Sequence, residues 1–213
     1  MDEIGFTSNL IHLFLEKIGV KLDPNKIKKF VDFSFIIVEK AIVNLEKLHF
    51  IYFDFYSNII KNEISLADIT KDKSILHIGC GPIPATSILI TKKTDAQITC
   101  IDNDPNSIKK ARICISKNGL SEKIEVSLAN AESFPVDKFD LIIFSHGVKP
   151  IKEILTHISK SMKKSACVIY RTSSSPSGEI SKKDLFIKEL FNIERFVAQK
   201  KNALMVSILL LKK

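Results

Sequence analysis

The sequence predicts an α/β protein: a Rossmann-like, doubly wound sheet of seven strands with an antiparallel last strand, preceded by a helical cap. Three observations carry this expectation. Beyond residue 70, short apolar runs alternate with helical stretches, the pattern of a parallel sheet covered on both faces. The first run leads into Gly79-Cys80-Gly81, a glycine-bearing turn at the point where a strand gives way to a helix. The last two runs are joined by a polar link too short for a crossover, so they must form a hairpin.

Before residue 70 the texture is helical. Leu10, Leu13, Phe14, Leu15 and Ile18 recur at the spacing of one helix face. Asp23-Pro24 then supplies an N-cap and a proline for the first helical position, opening a long apolar helix to about residue 49. Residues 1–66 are therefore assigned to the cap and 67–213 to the sheet domain. Strands are expected at 74–78, 97–102, 124–127, 140–145 and 165–171, with helices near 83–92, 105–118 and 150–163. The hairpin is expected from 192–198 and 203–210, around Gln199-Lys200-Lys201-Asn202.

Composition narrows the function. A chain of 213 residues with 45% hydrophobic content can bury a core in one domain with a small appendage. No apolar run reaches the ~18 residues that span a bilayer, and Met1-Asp2-Glu3 lacks the basic start of a secretory signal, so a cytoplasmic protein is expected. Cys80, Cys100, Cys114 and Cys167 have no paired spacing and no nearby histidine at ligand distance, which predicts reduced packing thiols and no metal centre. Cys80 differs only in lying within the glycine turn. The net charge of +8 is almost all lysine, because Arg112, Arg171 and Arg195 are the only arginines. Without arginine clusters or aromatic platforms this is a solvated lysine surface, so neither nucleic acid nor membrane is the expected partner.

The turn begins as a dinucleotide motif and then departs from it, with Pro84 where G-x-G-x-x-G would place its third glycine. Asp102 ends the second apolar run, 23 residues after Gly79, where a carboxylate can accept from both ribose hydroxyls. Asp104-Pro105 follows as a helix N-cap and first-turn proline. Asn130 would by itself be a turn-former; in register with Gly79, Gly81 and Asp102 it becomes a candidate contact. His146 follows the fourth strand and would line the cleft as a base or acceptor contact.

A parallel sheet closed by such a hairpin resembles the class I S-adenosylmethionine-dependent transferase fold. Asn130-Ala131 resembles the segment with which those enzymes read the adenine edge, by a polar side chain and the next backbone N–H. The resemblance implies that Gly79, Cys80, Gly81, Pro82, Asp102, Asn103, Asn130, Ala131 and Ser145 line a site for S-adenosylmethionine. That molecule has no phosphate, so prolines can stiffen the turn where a third glycine would admit a pyrophosphate.

Closer still, Gly79-Cys80-Gly81-Pro82-Ile83-Pro84-Ala85-Thr86-Ser87-Ile88 is similar to the G-S-G-P-L-P-x-T-S-I loop of the nicotianamine synthases. Phe50-Ile51-Tyr52-Phe53-Asp54-Phe55-Tyr56, with Glu63 beyond it, resembles their F-P-Y-Y-x-x-Y segment, and Val168-Ile169-Tyr170-Arg171-Thr172-Ser173 resembles their fifth-strand V-L-R-S. Ile51, Phe53 and Cys80 depart from the pattern. The resemblance implies transfer of the 3-amino-3-carboxypropyl arm of S-adenosylmethionine to a small amine or amino-acid-like acceptor. A tyrosine or carboxylate of the cap would orient the amine and take its proton: Tyr56 and Tyr52 by motif position, and Glu39, with Glu46 as its rival. Methyl transfer on the same fold, to a small molecule ahead of RNA, and a non-catalytic S-adenosylmethionine-binding module stay open, as does a homodimer.

Overall fold

The structure is a computed structural model that describes residues 49–173, 185–198 and 205–213. The helices expected before residue 49, and Glu39 and Glu46 with them, lie outside the described residues. The described part belongs to one compact unit that begins at Lys40.

Its elements are α1 (His49–Leu66), β1 (Ile75–Ile78), α2 (Ala85–Thr94), β2 (Ile98–Asp102), α3 (Pro105–Lys117), β3 (Ile124–Leu128), β4 (Leu141–Phe144), α4 (Ile151–Ser161), β5 (Cys167–Ser173), α5 (Ile187–Leu190), β6 (Phe191–Ala198) and β7 (Met205–Lys212). The seven strands form one sheet in the order β3-β2-β1-β4-β5-β7-β6. Pairing is parallel from β3 to β5 and antiparallel for β7 against both β5 and β6. This is the expected class I architecture with its terminal hairpin.

Local chemistry explains where the elements begin. Asp104 caps α3 as expected: Oδ1 accepts from the Asn106 N–H at 3.0 Å and Oδ2 from the Ser107 N–H at 3.2 Å. α2 starts at Ala85, two residues later than the sequence pattern suggested, because the chain first has to pass Pro82 and Pro84. β1 and β4 are buried at every position, as central parallel strands should be. β7 reads as a nearly continuous apolar run because it also lies inside the sheet, between β5 and β6.

Apolar side chains fill both faces. Ile75, Ile88, Ile98, Ala111 and Ile143 belong to the core shared with α2 and α3, against which Tyr52, Phe53 and Tyr56 of α1 also pack. Leu76, Ile142, Leu155, Ile158, Val168 and Phe191 form the opposite core, beneath α4 and α5. α1 rests on α2 and β6. Burying some twenty residues on each face supplies the driving force; polar groups set the register.

One such group ties the amino ends of the central strands together. Asp140 Oδ2 accepts from the Ser74 N–H at 2.9 Å, and Oδ1 meets Lys163 Nζ at 2.6 Å. The Lys163 hydrogen bond, with that from Ser74, holds the Asp140 carboxyl below its usual range. A depressed carboxylate pKa contributes stability that is present above the unfolded value, ~3.9, and is lost as pH falls through the folded one. Asp140→Asn should therefore cost about 1 kcal/mol or less at pH 7, since the pair is about a third exposed and screened. Urea unfolding midpoints of the two proteins should converge as pH falls below the ordinary carboxylate range and the folded Asp140 takes up its proton.

Candidate functional site

In an open α/β sheet, ligands bind beyond the carboxyl ends of the strands, at the point where successive connections leave in opposite directions. Here β1 lies between β2 and β4, so that point falls at Gly79. The Gly79 and Cys80 N–H groups donate to the Ile101 carbonyl at 2.9 and 3.3 Å, bending the loop over the end of β2. Gly79 and Gly81 have φ of 73° and 66°, in the left-handed region that glycine adopts without steric cost. Gly79 has a second reason to lack a Cβ, which would lie 2.2 Å from Val148 Cγ2. The room left by that glycine is filled by the loop after β4.

Asp102 closes the loop from the other side. Its Oδ2 accepts from the Gly81 N–H at 2.9 Å and its Oδ1 from the Asp104 N–H at 3.0 Å. An ionised carboxylate offers about four lone-pair sites, so both oxygens retain capacity for a diol. The Ala129 N–H donates to the Asp102 carbonyl at 3.0 Å, which keeps the start of the Asn130 turn beside it. Asn130 is exposed and its Oδ1 accepts from the Glu132 N–H at 2.9 Å, an Asx turn. Ala131 is buried behind it, and Asn103 is exposed.

On the other side of β1, Ser145 follows β4 directly and its N–H donates to the Ile78 carbonyl at 3.2 Å. Ser145 is buried, and His146 and Pro82 are half-buried. The Cys80 thiol is pushed far above its usual range by a hydrogen bond with Cys100 and by burial. It is buried in the packed core on which the loop rests.

The part of the site that the residue-by-residue reading missed is a buried polar network. Arg171 on β5 donates through Nε to Glu63 Oε1 at 2.8 Å and through Nη2 to Glu63 Oε2 at 2.6 Å, a bidentate fork. Its Nη1 donates to Thr86 Oγ1 at 2.9 Å, and Ser207 Oγ donates to Glu63 Oε1 at 2.6 Å. Ser207 pairs with Arg171 across β5 and β7, so both side chains leave the sheet on the same face and reach one carboxylate. Glu63 and Ser207 are fully buried and Arg171 nearly so. Burial disfavours the guanidinium's charge, but the facing Glu63 carboxylate outweighs it and leaves the Arg171 pKa above its ordinary value.

Tyr56 joins this network from α1, with the Arg171 guanidinium 5.7 Å from its ring centroid. Tyr52 packs on Tyr56 with centroids 4.8 Å apart. Thus Tyr52, Tyr56 and Glu63 of α1, Thr86 in the first turn of α2 and the fifth-strand Arg171, far apart in sequence, meet in one place. The signal was available: Glu63 is seven residues from Tyr56, and Arg171 is a charge ending an otherwise apolar run.

Residues 31–188 match the family model described as nicotianamine synthase protein. The L-histidine 2-aminobutanoyltransferase of Pseudomonas aeruginosa is 28% identical over 121 residues, covering 56% of this chain and 46% of that protein. The crystal structure of an MtNAS variant in complex with S-adenosylmethionine superposes with a TM-score of 0.69 at 20% identity, over 83% of this chain and 71% of that one. The crystal structure of a putative S-adenosyl-L-methionine-dependent methyltransferase from Methanococcus maripaludis gives 0.63 at 16% identity, over 82% of this chain and 92% of that one. The two structures establish the fold. The chain spans about half or less of the length of the curated relatives it matches.

No described helix is long and apolar enough to cross a membrane, and no described cluster of His, Cys, Asp and Glu is arranged to hold a metal.

Arg171→Met strands a buried carboxylate, and the expected loss is roughly 3–5 kcal/mol in urea unfolding. Joint replacement of Glu63 and Arg171 by Met and Leu should recover most of it, because an apolar pair carries no desolvation penalty. Equal destabilisation by the single and double variants would refute a role for the charge pair.

Proposed function

Because the chain belongs to the nicotianamine synthase family, we propose that it is an S-adenosylmethionine-dependent transferase that moves the 3-amino-3-carboxypropyl arm to a small amine or amino-acid-like acceptor. Methylthioadenosine is the leaving product. The observation that carries the proposal is the convergence of the three family-like stretches, 50–63, 79–88 and 168–173, on the Glu63-Arg171-Thr86 network beside the glycine loop.

The loop fits a nucleoside without phosphate. Pro84 occupies the cap of α2, with no side-chain hydrogen bond, where a pyrophosphate site would have an open helix terminus. In the proposed complex Asp102 accepts from the ribose hydroxyls, and the Asn130 carbonyl and the Ala131 N–H take the adenine edge. Gly79, Cys80, Gly81 and Pro82 form the floor, with Asn103 and Ser145 at its two ends.

S-adenosylmethionine supplies a sulfonium whose carbon arms are open to in-line attack by an amine lone pair. What distinguishes arm transfer from methyl transfer is the carbon that faces the acceptor. The acceptor amine must be neutral, so a nearby group has to take its proton. Tyr56 and Tyr52 are assigned this role on the α1 side and His146 at the end of β4. Arg171 is excluded as a clamp for the acceptor's carboxylate, because Glu63 already holds two of its nitrogens and Thr86 a third. Glu39 keeps its role from the family resemblance alone. The small-molecule acceptor is the proposed partner, and L-histidine, named in the relatives' activity, heads the acceptors to try.

The test is turnover of S-adenosylmethionine with a panel of amino acids and polyamines, products being separated by mass. Methylthioadenosine is expected; S-adenosylhomocysteine as the only nucleoside product would overturn arm transfer in favour of methylation. Asp102→Asn should weaken S-adenosylmethionine binding about a hundredfold, the worth of roughly 3 kcal/mol in hydrogen bonds to a charged acceptor. Unchanged affinity would move the nucleoside away from β2.

A further inference from the structure

His77 lies in the middle of β1, 2% exposed, between strands whose other buried positions are almost all apolar. Burying an imidazole there is costly unless both ring nitrogens find partners. Both do: Nδ1 lies 2.8 Å from Ser87 Oγ on α2, and Nε2 lies 2.7 Å from Ser145 Oγ at the end of β4. Ser87 Oγ is in turn 3.0 Å from Cys100 Sγ on β2. A chain of hydrogen bonds therefore runs from the core of the sheet to Ser145, which stands at the cleft and whose Cβ is 3.6 Å from the position a Gly79 Cβ would take.

Each imidazole nitrogen holds one serine hydroxyl, in a sense that the state of the ring decides. The orientation of the Ser145 hydroxyl is set from inside the protein, before any ligand arrives.

The sheet order says which part of a ligand Ser145 would meet. Asp102 and Asn130 close β2 and β3, on one side of β1; Ser145 closes β4, on the other. Neighbouring strands are ~4.8 Å apart, so Ser145 lies two strands, roughly 10 Å, from Asp102. A ligand with its ribose at Asp102 reaches β4 only with its far end, which in S-adenosylmethionine is the amino-acid arm.

Building on the S-adenosylmethionine reading above, we propose that His77 is a positioning residue that holds the Ser145 hydroxyl in a fixed sense toward the amino-acid arm of the bound nucleoside. His77 does not touch the ligand; it acts through Ser145. The arrangement aims one polar contact at the arm that is to be transferred.

Methylthioadenosine lacks that arm and is the probe that separates positioning from mere support of the fold. Binding of both S-adenosylmethionine and methylthioadenosine to the full chain would be measured by calorimetry. Ser145→Ala and His77→Asn should each weaken S-adenosylmethionine about tenfold or more and leave methylthioadenosine within about twofold. His77→Asn placed in a Ser145→Ala background should cost no further affinity, because its effect passes through the missing hydroxyl. Ser145→Ala lies at the strand end and gives the same ligand comparison should His77→Asn not fold. Equal weakening of both ligands, or unchanged S-adenosylmethionine binding in Ser145→Ala, overturns the proposal. Wild-type protein that binds neither ligand overturns the underlying reading itself, a result distinct from both.

Discussion

Glu63 and Arg171 meet where water does not reach them, and their meeting ties α1, α2, β5 and β7 to one another. A charge taken out of water costs several kcal/mol even after relaxation, so each side chain depends on the other. Glu63 comes from α1, Arg171 from β5, Thr86 from α2 and Ser207 from β7. An apolar interface would tolerate a slide of α1 by one turn; a bidentate fork with two hydroxyls completing it would not. Tyr56, two helical turns before Glu63, is thereby fixed over the guanidinium.

The second polar network is anchored one residue further along the same helix. Thr86 serves Arg171 and Ser87 serves His77, so the first turn of α2 is pinned to β5 by one side chain and to β1 by the next. Both faces of the glycine loop are fixed as a result. The cleft inherits its geometry from buried side chains, and an order set before any ligand arrives does not have to be supplied by binding energy.

The fold was legible in the sequence because it rests on periodicity and on turn chemistry, both of which are local. The five parallel strands, the hairpin and the Asp104 cap follow from apolar spacing and from residues such as Asp104-Pro105. Gly79, Gly81 and Asp102 were legible as a set, since the loop and the end of β2 are bound to each other by the Gly81 N–H. The Glu63-Arg171 pair was not, although both residues lay in stretches already singled out. Its two members are 108 positions apart, and only the packing of α1 on the face shared by Arg171 and Ser207 brings Glu63 to them. His77 was hidden for the opposite reason. Inside Ile75-Leu76-His77-Ile78 it looks like a strand residue, and nothing local announces that serines from α2 and the end of β4 flank it.

The same two networks explain why the loop can dispense with a third glycine. In a dinucleotide fold that glycine lets the helix pack closely on the sheet while its open N-terminus receives phosphate oxygens. Here Pro84 stands at the helix start, and Thr86 and Ser87 turn their hydroxyls inward to Arg171 and His77. Close packing is achieved by hydrogen bonds between side chains, so the backbone need not approach the sheet as nearly as glycine would allow. The side-chain hydroxyls of the first helical turn are committed to the interior of the protein. In the proposed complex the ligand is held mainly from the strand ends, by Asp102 on one side and Ser145 on the other, which suits a phosphate-free nucleoside carrying an amino-acid arm.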